Sequence, residues 1–380
     1  MLGLNITTWK LQKFVVELII EKTEFMRKTF CVTSALVLPI VSILQPVQSL
    51  AIATSTASHF AIRATNSTST KTLAPIELPA NFQYPNGIAH ASDGTLYVGS
   101  VTSGQILRIT PEGKAETFFP GNDEVFAATS LRLDEPRGIL WGTSPDFLGT
   151  RGANGEVTRR SPRIFAINTR SGEVLRVIEM PDGGFSNDLA IAPTGGIYVT
   201  DSSRPRIHYL APGATQFQTW AEDEQLRSTE IGLAGIARHS SGVLIVGKFS
   251  DGELLKITPQ PQGKATVETI PLTRKLENPD GIQFAPDGSL LVTEGSVKSG
   301  NGKLLRIDVF SPKTKPRTVE TLVENLESPV NLTVAGQDIW ISEARIRHRL
   351  VPGQEKAIPD RFFIRRFKLP TVQSSVVPFV

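Results

Sequence analysis

Apolar and polar positions alternate along this chain in short runs, and the runs return as one phrase about every 45 to 50 residues. The clearest copy is Asn278-Pro279-Asp280-Gly281-Ile282-Gln283-Phe284-Ala285-Pro286-Asp287-Gly288-Ser289-Leu290-Leu291-Val292. Further copies run from Tyr84 to Val98, Ala128 to Trp141, Ser186 to Val199 and Leu233 to Val246, with a shortened last one from Val330 to Ile341. Each reads as a short apolar strand, a tight Asp-Gly, Gly-Gly or Ser-Gly turn, and a strand of β-branched and aromatic residues, which is a hairpin. A third apolar strand follows, as in Gln105–Thr110, Arg206–Leu210, Glu253–Thr258 and Lys303–Ile307. A fourth, more polar strand comes next, such as Ala115–Phe119 or Thr266–Ile270.

Four strands per repeat, arranged radially, leave only short protected sheet edges. The pattern therefore predicts an all-β, six-bladed β-propeller of four-stranded antiparallel blades over residues 72–370. The last blade lacks a fourth strand of its own after Phe362–Leu369, and Leu73–Leu78 is expected to supply it from the N-terminal side and close the ring. A two-sheet sandwich of the same hairpins is the competing arrangement, and it rarely repeats one phrase so regularly.

Two average domains would fit in 380 residues, but the repeats take up about 300 of them, so one large domain fits better. Residues 1–53 show Met26-Arg27-Lys28, an apolar run from Phe30 to Leu44 and then Ala51-Ile52-Ala53: a charged start, a hydrophobic middle and a small-x-small site. This predicts an export signal with Met26 as the start, hence a periplasmic or secreted protein. A membrane anchor is the alternative, but Pro39, Gln45 and Pro46 interrupt the span. Residues 54–71, rich in Ser, Thr and Ala, read as a flexible leader, and 371–380 as a C-terminal tail. The chain carries a net charge of +3, and its first 53 residues hold a surplus of two basic groups, so no basic field remains to favour nucleic acid. The only cysteine, Cys31, lies within the signal, which excludes disulfides, cysteine nucleophiles and cysteine-based zinc sites from the exported part. A monomer meeting a small-molecule substrate, without a membrane anchor after cleavage, is expected.

The first strand of each blade lines a propeller's channel, and equivalent positions form a ring at its mouth. In register the ring contains Asn86, Thr129, Asn187, Ala234, Asp280 and Asn331; in the first five repeats this position lies ten residues before the same point of the second strand, Leu96, Ile139, Ile197, Leu244 and Leu290. One carboxylate with three side-chain amides, Asn86, Asn187 and Asn331, makes an oxygen-rich cage suited to a divalent cation, Ca²⁺ first and Mg²⁺, Mn²⁺ or Zn²⁺ after it. The alternative is that Asn and Asp simply begin strands and accept backbone hydrogen bonds.

Ser186-Asn187-Asp188-Leu189-Ala190, Tyr198-Val199-Thr200-Asp201-Ser202 and Pro279-Asp280-Gly281-Ile282 resemble the senescence marker protein/gluconolactonase (regucalcin-like) family of six-bladed, calcium-dependent propellers. The resemblance covers roughly residues 72–370. It implies a cation held by a first-blade Glu, by the Asn of Ser-Asn and by the Asp of Pro-Asp-Gly, which carry over to Asn187 and Asp280; the Glu is replaced here by Asn86. It also implies hydrolysis of a lactone or ester, with Asp280 as ligand and proton acceptor.

Further candidates for substrate contact are Thr129 in the ring, Asp201 and Glu294 at second-strand ends, and Arg345 and His348 in a basic loop of the last blade. The connection from Gly142 to Ser161 falls between the second and third strands of the second blade and is a candidate lid. Two readings of other classes stand beside the hydrolase: a non-catalytic propeller that binds a ligand or protein, favoured by the missing Glu, and a quinone-dependent sugar dehydrogenase, for which the ring offers neither His nor Arg.

Overall fold

The inner strands Pro85–His90, Ser130–Asp134, Ser186–Ile191, Leu233–Arg238, Pro279–Phe284 and Pro329–Ala335 each begin a separate four-stranded antiparallel sheet. The computed structural model describes residues 70–151, 156–261, 265–312 and 315–370. Its six sheets are the blades of a β-propeller. In the sixth, Lys71–Glu77 pairs antiparallel with Phe363–Lys368, outside Asp338–Glu343 and the inner strand. The N-terminal strand thus completes the last blade, beginning two residues earlier than the hydrophobic pattern placed it. The expected export signal, most of the expected leader, the expected tail and part of the candidate lid lie outside the described residues. Among those described, no helix is long and apolar enough to cross a membrane.

The core consists of apolar layers between blades, because a strand in the middle of a blade buries both faces. One layer joins Ile88, Val98 and Leu107 of the first blade to Ile364 of the sixth, all essentially inaccessible. Another joins Ile245 and Leu254 of the fourth blade to Ile282 and Val292 of the fifth. Aligned β-branched and leucine positions leave water no path between blades.

Hydroxyls near the ends of second strands stitch neighbouring inner strands together. Thr143 Oγ1 donates to Asn187 O at 2.9 Å, Thr200 Oγ1 to Ala234 O at 2.7 Å, Thr293 Oγ1 to Val330 O at 3.3 Å and Ser342 Oγ to Asn86 O at 2.5 Å. Each carbonyl belongs to the next blade, so the hydroxyls fix the channel-lining backbone around the ring. The inner strands bulge at this level, shown by register shifts between Pro85 and Ile88, Ser186 and Leu189, Leu233 and Ile236, Pro279 and Ile282, and Pro329 and Asn331.

Close approach at the bulges requires small residues. A Cβ on Gly235 would sit 1.9 Å from Asp280 O of the next blade. Backbone cannot yield as a flexible side chain does, so Gly235→Ala is expected to cost about 3 kcal/mol. Urea denaturation measures the loss.

Candidate functional site

The carbonyl stitches also number the ring. Asn86, Asn187, Ala234 and Val330 occupy equivalent places, each accepting a hydroxyl from the preceding blade. The mouth of the channel is therefore Asn86, Thr129, Asn187, Ala234, Asp280 and Val330. Asn331 stands one step further in. The reason is a last hairpin one residue shorter: Val334 and Ile339 pair with four residues between them, whereas the equivalent His90 and Leu96 have five. The second blade departs by one residue in the other direction. Its hairpin contains a 3₁₀ turn, Glu135–Arg137, closed by Gly138 in the left-handed region at φ 64°. Thr129 keeps its place because Leu131 pairs with Gly142 as Ile88 pairs with Val98, while Leu140 rather than Ile139 is the second-strand equivalent of Leu96.

Several oxygens at the mouth have no protein partner among the described residues. Thr129 Oγ1 is buried and unpartnered. Asn187 donates its amide Nδ2 to Ser202 Oγ at 3.0 Å, an arrangement that leaves Oδ1 as the free end of the side chain. Asp280 is half-buried. Desolvation first, and repulsion from the Asp188 carboxylate second, push Asp280 well above the ordinary aspartate range. No described group of three or more His, Cys, Asp and Glu residues is clustered for a metal, so a cation here would rely on Asp280 with neutral oxygens.

One level further in lies a polar layer that the sequence reading missed. Asp188, 2% exposed, accepts hydrogen bonds from Ser130 Oγ, from Arg132 Nη2 at 2.8 Å, from its neighbour Leu189 N at 2.8 Å and from Ile236 N at 3.1 Å. It thereby ties the second, third and fourth blades together. The Arg132 guanidinium reaches the sixth blade as well, at 3.4 Å from Asn331 Oδ1, which also accepts from Leu332 N at 3.0 Å. Asn331 is therefore engaged in this inner layer, beside a cation of the protein itself. The available signals were an arginine inside the apolar strand Ser130–Asp134 and two consecutive polar residues, Asn187-Asp188, on one bulge.

Asp201 and Glu294 serve the frame. Asp201 Oδ1 accepts from Phe185 N at 2.9 Å and from Ser203 N and Oγ at 2.9 and 2.8 Å, and its other oxygen faces buried His208 at 3.5 Å. Burial opposes its ionisation, but the nearby His208 ring and the hydrogen bonds from the Phe185 amide and Ser203 outweigh burial and hold Asp201 below the usual aspartate range. Glu294 accepts from Arg274 at 2.6 Å and from Glu277 N at 2.6 Å, with Lys303 at 3.5 Å. Here too burial is outweighed, by Arg274 and the Glu277 amide, and the pKa is lowered. Glu343 repeats the device in the sixth blade by accepting from Glu327 N at 2.8 Å. In all three, a carboxylate at the end of the second strand holds the turn that precedes its own inner strand. That satisfies a backbone amide in each case.

The basic loop is largely spent on packing. Arg345 Nη1 donates to Arg361 O at 2.6 Å, and Arg347 bridges to Val297 O and Lys298 O of the fifth blade at 2.8 and 3.1 Å. His348 stacks on Tyr84 and its Nε2 lies 3.2 Å from the Tyr84 hydroxyl, with Nδ1 buried and unpartnered. The 142–161 connection does lie between the second and third strands of its blade and carries a small ribbon, Thr150–Arg151 with Val157–Thr158. Phe147, from this connection, meets Phe185 edge to face just before the Asn187 bulge, at 6.5 Å between centroids.

The class this architecture defines is the six-bladed β-propeller with a polar ring at the channel mouth. No family model matches the chain. Its structural neighbours include a gluconolactonase from Xanthomonas campestris, at TM-score 0.55 and 15% identity, covering 79% of this chain and 90% of that one. Virginiamycin B lyase from Staphylococcus aureus aligns at TM-score 0.51 and 15% identity, covering 80% of this chain and all of that one. A strictosidine synthase-like 3 protein of Arabidopsis thaliana is 26% identical over 216 residues, which span 56% of this chain and 41% of that relative.

Proposed function

We propose that this protein hydrolyses a small lactone or ester at the channel mouth, with a divalent cation, Ca²⁺ first among those weighed, bound by Asp280, Asn187 and Asn86. The observation that carries the reading is Asp280: a carboxylate without a hydrogen-bond partner among the described residues, in a setting that penalises its charge. A cation relieves that penalty, and the free oxygen of Asn187 suits the same ligand. When bound, the cation supplies a Lewis acid for a carbonyl oxygen and a more acidic water.

The chain's own contribution follows from its residues. Asp280, the carboxylate at the channel mouth, is the group placed to accept a proton from water as the water oxygen adds to the carbonyl carbon. The acyl C–O bond then breaks, and the same proton passes to the departing alkoxide oxygen, giving a hydroxy acid from a lactone and an acid plus an alcohol from an ester. Phe147 and Phe185 offer an apolar wall beside Asn187. The structural likeness to a gluconolactonase and to a lyase fits hydrolase or lyase work in general terms.

The second reading is a non-catalytic binding propeller. Asn86 in place of the family Glu favours it, because a hard cation gains most from full negative charges. A panel of aliphatic and sugar lactones, assayed by acid release with Ca²⁺, Mg²⁺, Mn²⁺ or Zn²⁺ and with a chelator, separates the two readings. Metal-dependent turnover supports the hydrolase, and no turnover across the panel with any of the four metals supports the binding propeller.

A further inference from the structure

The channel has a second polar region at its opposite end. A cavity of about 340 Å³ is lined by the last turns of the inner strands, where His90, Arg238 and Phe284 are the final strand residues. The ring residues Asn86, Ala234 and Asp280 are second in those same strands, so Arg238 and Phe284 stand about 13 Å from the ring along the sheet, while the cavity's inner lining reaches Ile236 and Ile282. The lining contains Arg132 and Arg238 but no Asp or Glu. Arg132 is already paired with Asp188.

Arg238 is different. Its Nη1 makes one long contact, 3.4 Å to His239 O, and its Nε is buried without a partner. Among the described residues no carboxylate comes within ion-pair distance of it. A guanidinium with an orphaned buried donor is costly unless an anion completes it. Beside it Phe284 is held in an aromatic group with His239, at 5.2 Å, and Phe310, at 5.9 Å, so its ring is a fixed wall. Across the cavity His90 stacks on Trp340 at 4.8 Å. Burial lowers the proton affinity of His90 more than Asp93, Glu135 and Asp338 raise it, so the fixed positive charge of Arg238 is the better partner for a negative ligand group.

We propose that this hairpin-end cavity is a second binding site, for a small apolar molecule bearing one carboxylate, whose oxygens pair with Arg238 while its body lies against Phe284. The size suits such a ligand, and the lining sets the cationic Arg238 and the polar Gln283 and Thr333 beside apolar surface from Phe284 and Ile282. The site is independent of the chemistry proposed for the ring.

The test is calorimetric titration of the protein with benzoate and with its neutral isostere benzamide. Saturable benzoate binding, with benzamide at least about tenfold weaker, is expected, since a charge-assisted hydrogen bond is lost. Arg238→Gln is expected to weaken benzoate to the benzamide level, while Asp280→Asn leaves it unchanged. Equal binding of the two probes, no binding at millimolar benzoate, or benzoate binding lost in Asp280→Asn instead would overturn the proposal. The isostere comparison needs no variant, so it decides the matter even if Arg238→Gln folds poorly.

Discussion

Replacing Arg132 by methionine lowers stability by about 3–5 kcal/mol, the cost of leaving a buried charge without its partner. Asp188 would keep Ser130, Leu189 and Ile236 as donors but lose its only counterion among the described residues, which lies at 2.8 Å. The uncompensated carboxylate would also act more strongly on Asp280, whose proton affinity it already raises. Methionine keeps most of the arginine's length and apolar stem, so packing is largely preserved and charge is what changes. Urea unfolding of wild type, Arg132→Met, Asp188→Asn and the double variant gives the coupling directly. The account expects the double variant to recover about 2 kcal/mol relative to Arg132→Met, because no buried ion is then left unpaired. Simple additivity of the two single losses would mean that the pair does not stabilise the channel.

Asp280→Asn separates function from stability in opposite directions. Turnover is expected to fall at least about a hundredfold, as for loss of a positioned acid–base group. Stability without metal is expected to rise at neutral pH. An aspartate in the unfolded chain titrates near 3.8, and in the folded protein Asp280 titrates higher. Between those two values the unfolded chain gives up its proton first, so wild-type stability falls as pH rises from about 3.8 and stays reduced above the folded value. The asparagine variant lacks that fall. Thermal unfolding across the pH range, with a chelator present, shows two curves that converge at low pH and diverge above it. Parallel curves would remove the charge penalty from the account.

The fold was legible because each blade repeats one phrase, and the repeat carries both strand alternation and turn chemistry. Even the closing strand could be placed, from an absence at the end of the last repeat. The ring was legible only as far as hairpins keep one length. The two-residue turn at Gly336-Gln337 moved Asn331 inward by one place, and no spacing rule taken from the other repeats could register it. The roles of Asp201 and Glu294 were hidden for another reason. A carboxylate at a strand end looks the same in sequence whether it faces solvent or folds back onto the amide of Phe185 or Glu277. The Arg132–Asp188 pair joins residues 56 apart in sequence, and only the radial closure of the blades brings them together.

Calcium titration of thermal unfolding, on wild type and Asp280→Asn side by side, tests the central claim most directly. The account predicts that added Ca²⁺ raises the wild-type melting temperature by mass action, by an amount that grows with its concentration, and leaves the variant unmoved. Wild-type protein indifferent to Ca²⁺, Mg²⁺, Mn²⁺ and Zn²⁺, or a variant that responds equally, would contradict a cation site at the channel mouth.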